Sequence, residues 1–295
     1  MKPPAFEYYR PQTVEETLAL LQEVGDAKIL AGGQSLIPML NMRLAHPSAL
    51  IDINSVRDLN EIQDEGTHLR VGALVRHHEL EESPLIQRYA PIVAEAERHI
   101  GHTAIRTRGT IGGSLAHADP AAELPVLAVL ENWDMEIASA SGSRRLPAQE
   151  FFLGYLITAV GPDELLTHVL MPKADGVSHF REFSLRHGDF ALVSAAASLA
   201  VDSERRIQRL RLALGGVAET PWRDTALEAE FIGAAAEAEV WRRIADRAAD
   251  AIEPPADIHA SSAYRRQLAR TLLVRTLEDC ARGAVRQIEK GSVDA

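Results

Sequence analysis

An α+β protein of two or more domains is what the sequence predicts, and three observations predict it. The chain has 295 residues, more than one ordinary core absorbs. Short apolar strands alternate with helix starts early on, and a series of strand-like runs then fills much of positions 135–214. The last third is rich in Ala, Glu and Arg with leucines at helical spacing.

The first helix opens at Thr13, which caps it, with Glu16 three residues on and Val14, Leu18, Leu21 and Val24 on one face. Gly25 is expected to close it. A strand over Lys28–Ala31 runs into a glycine turn, and Leu50–Ile53 reads as a second buried strand, which together make a small α/β subdomain. Leu69, Val71 and Ala73 alternate as in a strand, and Pro91 begins a helix running to His99. A second glycine turn precedes a helix over 121–130, which Asp119 is placed to cap. Strands follow at 135–139, 164–171, 180–185, 194–201 and 207–214, with turn signals at Ser141-Gly142-Ser143, Gly161-Pro162-Asp163 and Gly188-Asp189. Helices are expected at 237–251, before Pro254-Pro255, and at 262–284, with Leu268, Leu272, Leu273 and Leu277 on one face. Met171–Gly176 reads as a domain boundary and Gly291–Ala295 as a frayed end.

Composition excludes several functions. With 46% apolar and 25% charged residues the chain has the balance of a globular protein, and no segment approaches the ~20 apolar residues of a membrane span. Met1–Glu7 lacks a signal-peptide core, so a cytoplasmic location is expected. The formal charge is −11, with arginines scattered among glutamates, which argues against a nucleic-acid partner. Cys280 is the only cysteine, so no internal disulfide forms, and an iron–sulfur cluster, which takes about four thiolates, cannot be held by this chain alone.

The informative motifs are Ala31-Gly32-Gly33-Gln34-Ser35 and Thr110-Ile111-Gly112-Gly113-Ser114. Each follows a short apolar run and is trailed by small polar residues. Glycine allows main-chain amides to press against phosphate oxygens and to turn with positive φ, so the pair points to a dinucleotide. Nineteen glycines predict about one Gly-Gly pair by chance, so the flanks carry the argument. Neither stretch is a Rossmann fingerprint: no third glycine opens a helix, and Pro38 interrupts one. A nest of amides aided by Ser35, Thr110 and Ser114 and ordinary turn chemistry both stay open at this level. Glu123 falls in the first turn of its helix, where it favours the macrodipole and where a carboxylate can also bond sugar or ribityl hydroxyls. His99, His102, His117 and Asp119 match no metal-ligand spacing, so no metal is expected.

Five ordered segments together resemble the FAD-binding medium subunit of the molybdenum hydroxylases, the carbon monoxide dehydrogenase and xanthine dehydrogenase family. They are Phe6–Pro11; Ala31–Pro38 with Asn41 and Arg43; Thr110–Ser114 with Ala118-Asp119-Pro120 and Glu123-Leu124-Pro125; Glu164-Leu165-Leu166 leading to Pro172; and Arg186–Ala191. The resemblance implies a PCMH-type FAD-binding domain of two α+β lobes over 1–175 (lobes about 1–55 and 56–175), then a smaller C-terminal α+β domain over 176–290.

Carried over by position, Ile29, Leu30, Ala31, Gly32, Gly33, Gln34, Ser35 and Leu36 with Thr110, Ile111, Gly112, Gly113 and Ser114 would cradle the diphosphate of non-covalent FAD. Ile100 would lie near the adenine end and Glu123 on the hydroxyl chain. Leu166 would stand near the isoalloxazine, Arg181 at a basic position, and Asp189 and Phe190 near the ring's outer edge. Gln34 stands where some members have histidine. The resemblance further implies partners: a small subunit with [2Fe–2S] clusters and a large molybdopterin subunit, assembled as a dimer of heterotrimers. Electrons would pass from the molybdenum site through the clusters to FAD and out to an external acceptor, with no catalytic acid or base for the organic substrate on this chain. Two other readings stand beside this one. One is a self-sufficient flavin oxidoreductase with its own substrate pocket, the other an interaction protein that has lost the nucleotide.

Overall fold

The computed structural model describes residues 2–291. Of the stretch Gly291–Ala295, only Gly291 is among the described residues. The chain begins with β1 (Glu7–Tyr9), α1 (Val14–Glu23), β2 (Ala27–Leu30), α2 (Leu36–Asn41) and β3 (Ala49–Asp52). Both β1 and β2 pair in parallel with β3, and the intervening helices supply the crossovers that parallel pairing demands. The Thr13 hydroxyl accepts the Glu16 N–H at 3.1 Å and starts α1 as predicted. Gly25 does not close that helix. Val24 caps it in extended conformation, and Asp26 takes the left-handed turn at φ 55°.

A single 3-10 turn at Arg57–Leu59 leads to β4 (Ile62–Asp64) and β5 (His68–Gly72). Short helices follow: α3 (His77–Glu82), α4 (Pro84–Tyr89), α5 (Pro91–Glu97), α6 (Thr103–Arg106), α7 (Ile111–His117) and α8 (Glu123–Leu130). The hairpin β6 (Asp134–Ser139) and β7 (Gly142–Pro147) turns at the predicted Ser141-Gly142, and α9 (Ala148–Phe151), β8 (Phe152–Gly154) and β9 (Ile157–Thr158) precede β10 (Leu165–Pro172). An antiparallel sheet in the order β4-β5-β10-β6-β7 results, with β10 at its centre. Every residue of α8 is buried. Helices that are apolar all round are core helices, and α8 packs below this sheet and against the strands that follow. Asp119 does not cap α8. It accepts the Ala121 N–H at 2.9 Å in a local turn, and Ala122 stands at the helix start without a side-chain cap.

The remaining sheet is β11 (Val177–Phe183), β12 (Val193–Val201) and β13 (Ile207–Gly215), all antiparallel. Val193, Ala195, Ala197 and Leu199 of β12 face α11 (Ala238–Ala251) and α12 (Ser262–Gly291), while Ala196 joins the core around α8. Burial on both faces explains why β12 is apolar apart from the buried Ser194 and Ser198, rather than alternating. A short helix, α10 (Thr225–Glu230), packs on β13. The predicted leucine stripe holds: Leu272, Leu273 and Leu277 are buried with Cys280 against β12. Among the described residues no helix is long and apolar enough to cross a membrane. The architecture is α+β.

Candidate cofactor site

The parallel pair β2–β3 delivers the first glycine loop. Ile29 and Leu30 pair with Ile51 and Asp52, and the Ile53 N–H closes on the Leu30 carbonyl at 3.1 Å. Beyond that bond the chain leaves the sheet. Gly33 turns it at φ 70°, a left-handed conformation that costs an L-residue about 1–2 kcal/mol. The Gln34 amide bends back to donate to the Gly32 carbonyl at 3.1 Å. The main-chain N–H groups of Gly32, Gly33, Gln34, Ser35 and Leu36 donate to no acceptor among the described residues. Successive free amides in a tight loop form an anion-binding concavity. Here it is continuous with the start of α2.

The second glycine segment lies directly against the first. A Cβ at Gly32 would sit 2.7 Å from the Gly109 Cα and would collide with the Arg108 carbonyl. No side chain fits at position 32 without moving the facing Arg108-Gly109 main chain. The two segments therefore border one cleft, which a shared diphosphate requires.

Their chemistry differs, which corrects the symmetrical reading of two amide nests. Ile111, Gly112, Gly113 and Ser114 open α7 rather than forming a turn. Their amides are engaged inside the protein: Ile111 to the Val75 carbonyl at 3.0 Å, Gly112 to Ala73 at 2.9 Å, Gly113 to the Thr110 hydroxyl at 3.1 Å and Ser114 to the Thr110 carbonyl at 3.0 Å. Gly112 is bare because α7 crosses the Ala73 backbone, where a Cβ would lie 2.7 Å from the Ala73 oxygen. What this segment can offer a ligand is a close wall of main chain and the hydroxyl protons of Thr110 and Ser114.

Around this cleft the other predicted residues divide. Ile100 packs half-buried on the main core, just before the segment that carries α6. Leu166 is 4% exposed on β10, in the same core and paired with Ile137. Asp189 and Phe190 lie on the loop between β11 and β12, Phe190 being 62% exposed. That loop meets the α6 segment where Gly188 packs on the His102 ring. Arg181 is paired within the chain. Its Nε donates to Asp279 of α12 at 2.6 Å, because β11 lies under that helix and presents the guanidinium to it.

Glu123 is buried at the head of α8, where its own main-chain N–H is the hydrogen-bond donor acting on its carboxylate. Burial pushes its carboxyl well above the ordinary value, with Glu182, Glu97 and Asp119 adding to the rise. Folding therefore favours the protonated form. The stability this proton confers is complete below the unfolded value of 4.5 and is lost as pH rises from there through the raised native value. Glu123→Gln is expected to flatten that slope and raise apo-protein stability at neutral pH, as urea unfolding between about pH 5 and 9 would show.

Several residues at the cleft carried no motif. Asp52 Oδ1 accepts both the main-chain N–H (2.9 Å) and the side-chain amide (2.6 Å) of Asn54, and the Asn54 amide also donates to the Ala31 carbonyl at 2.9 Å. The Asp52-Ile53-Asn54 spacing directly after a strand was the available signal. His77 and Glu97 form a buried pair, Nδ1 to Oε2 3.0 Å, beneath Gly109. Burial raises the Glu97 carboxyl and the His77 imidazole opposes the rise. No sequence spacing announces this pair, since α3 and α5 bring it together.

Five main-chain amides without an acceptor among the described residues, packed against the segment that leads into the second glycine pair, are chemistry that suits a dinucleotide's diphosphate. The chain belongs to the family of FAD-binding medium subunits of the molybdenum hydroxylases, oxidoreductases of the carbon monoxide dehydrogenase and xanthine dehydrogenase type. Residues 4–174 match the FAD binding domain in molybdopterin dehydrogenase, and residues 178–280 match the CO dehydrogenase flavoprotein C-terminal domain. The 6-hydroxypseudooxynicotine dehydrogenase complex subunit alpha of Paenarthrobacter nicotinovorans is 40% identical over 289 residues, covering 94% of this chain and 95% of that protein. The carbon monoxide dehydrogenase medium chain of Hydrogenophaga pseudoflava is 35% identical over 280 residues, covering 94% and 97%. A chain of quinoline 2-oxidoreductase from Pseudomonas putida 86 superposes with a TM-score of 0.94 at 38% identity, covering 96% of this chain and 99% of that one.

Proposed function

We propose that this chain is the electron outlet of a cytoplasmic molybdenum hydroxylase, seated beside an iron–sulfur small subunit and a molybdopterin large subunit in a dimer of heterotrimers. Residues 1–175 are assigned to the cofactor unit, with lobes of about 1–55 and 56–175, and 176–290 to the C-terminal unit. The observation that carries the reading is the row of unpartnered amides at Gly32–Leu36 held against Arg108 and Gly109, an arrangement that suits a diphosphate and leaves no room for a side chain. Bound FAD supplies the exchange between one-electron and two-electron transfer. The protein's part is to grip the diphosphate with the 32–36 amides and the Thr110 and Ser114 hydroxyls, and to hold Glu123 and Leu166 on the hydroxyl chain and ring. Ile100 is assigned to the adenine end, and Asp189 and Phe190 to the rim.

Two further facts favour a relay over a self-sufficient enzyme. Cys280, the only cysteine, is buried with its thiol pushed far up by burial, so clusters must come from elsewhere. The matched relatives share this architecture from end to end while their names refer to a nicotine derivative, carbon monoxide and quinoline, so substrate choice belongs to another subunit. The isolated chain is expected to bind FAD and to accept electrons from dithionite, yet to oxidise no N-heterocycle, aldehyde or carbon monoxide until both partners are added. Steady substrate turnover by the chain alone would establish the self-sufficient reading instead.

A further inference from the structure

We propose that Arg76 is a diphosphate-binding residue of this cofactor site, tying the two glycine segments together and setting a positive charge at their junction. The proposal rests on the FAD reading above and adds a residue that neither glycine motif contains. Arg76 precedes α3, its main-chain N–H fixed by Glu79 Oε2 at 2.8 Å. One terminal nitrogen of its guanidinium donates to the Arg108 carbonyl, the group that Gly32 is bare to accommodate. The other donates to Asn54 Oδ1 at 2.6 Å, and Asn54 in turn donates to the Ala31 carbonyl at 2.9 Å. The guanidinium thus stands one contact from Gly32 on one side and one residue from Ala31 on the other. Its Nε–H and the remaining terminal N–H groups have no acceptor among the described residues.

Charge decides the role. Among the described residues Arg76 makes no ion pair. Glu79 and Asp52 act on it only through space, Arg108 opposes them, and Asp52 is already engaged by Tyr8 and Asn54. The group is half-buried, and burial lowers its basicity. A partly desolvated cation without a counter-ion is costly unless a ligand supplies one, and a guanidinium fork suits phosphate oxygens. The need is sharpened by a chain of formal charge −11, which repels a dianionic diphosphate at long range. The guanidinium also borders a cleft of about 360 Å³ with Asn54, Arg57, Asn60 and Glu61, which neither glycine segment lines, so it is open to solvent beside the glycine segments.

The test compares wild type, Arg76→Lys and Arg76→Gln as apo-proteins titrated with FAD, ADP and riboflavin. Arg76→Gln is expected to weaken FAD and ADP about tenfold or more each, as loss of a charge-assisted contact does, while riboflavin, which has no phosphate, binds as to wild type. Arg76→Lys keeps the charge and retains most of the affinity, and the salt dependence of FAD binding is shallower for Arg76→Gln. Unchanged ADP binding by Arg76→Gln overturns the proposal. So does an equal loss for riboflavin, which would make the guanidinium only a brace between loops. A wild-type chain that binds neither FAD nor ADP would sink the flavoprotein reading itself, a result distinguishable from either.

Discussion

Gly32→Val is expected to yield a folded but colourless protein. The valine Cβ would have to occupy space within 2.7 Å of the Gly109 Cα, where the obstacle is main chain and cannot rotate away. Overpacking of this kind costs about 1–3 kcal/mol, and here it falls on the spacing of the cleft itself. FAD affinity should drop by roughly thirty- to a hundredfold, the equivalent of about 2–3 kcal/mol. Gly33→Val acts by a different route, because a β-branched residue at φ 70° strains the loop rather than blocking it. Visible absorbance of the purified chain reports bound flavin, and thermal unfolding of the apo-form reports the fold. If Gly32→Val holds FAD at the wild-type level with an unaltered melting temperature, the close approach of the two segments has no bearing on the cofactor.

The second large effect belongs to the pair beneath the cleft. His77→Ala leaves the Glu97 carboxyl with no partner in a fully buried position, and breaking such a pair costs about 3–5 kcal/mol. For a chain of this size each kcal/mol moves the melting temperature by roughly 2–4 °C, so a fall near 10 °C is expected. Combining His77→Leu with Glu97→Leu removes both polar groups and should recover most of the loss, since apolar replacement of a buried pair is often neutral. The His77 main-chain N–H also bonds the Gly109 carbonyl at 3.2 Å and its ring packs on Gly109. The single variant should therefore loosen FAD together with the fold. An unchanged melting temperature for His77→Ala would show that Glu97 finds other partners and that the pair does not support the cleft.

How much of this was legible before the structure depends on how local the cause is. Thr13 and Glu16 start α1 as expected because a capping residue acts within four positions. The leucine stripe of α12 and the strands β6 and β10–β13 follow from periodicity, and their boundaries move by only a few residues. β11 runs Val177–Phe183 rather than 180–185, since pairing with Leu199 through Val193 sets its extent and not its own composition. Asp119 was misread as a cap because an Asx turn and a helix cap use the same side chain, and only the backbone path past Pro120 separates them. β1, β4 and β7–β9 carried too little apolar pattern to announce themselves.

At the site the same division holds. Gly32, Gly33 and the amides through Leu36 are readable from sequence, because the need for a bare, left-handed residue lies in the local backbone. That Gly112 and Gly113 serve helix packing while Gly32 and Gly33 leave amides free is a tertiary fact, for it depends on Ala73, Val75 and Arg108 arriving from elsewhere. The pairing of Arg181 is a tertiary fact for the same reason, since Asp279 reaches it from α12.

By itself, then, the sequence determined an α+β flavoprotein of a known family with its first glycine loop in place, since caps, periodicity and glycine backbone freedom act over a few residues. Only the tertiary structure decided which amides remain free, which arginine meets them and which acids are buried. Hydrogen-bond satisfaction and desolvation are set by whichever distant segments pack alongside.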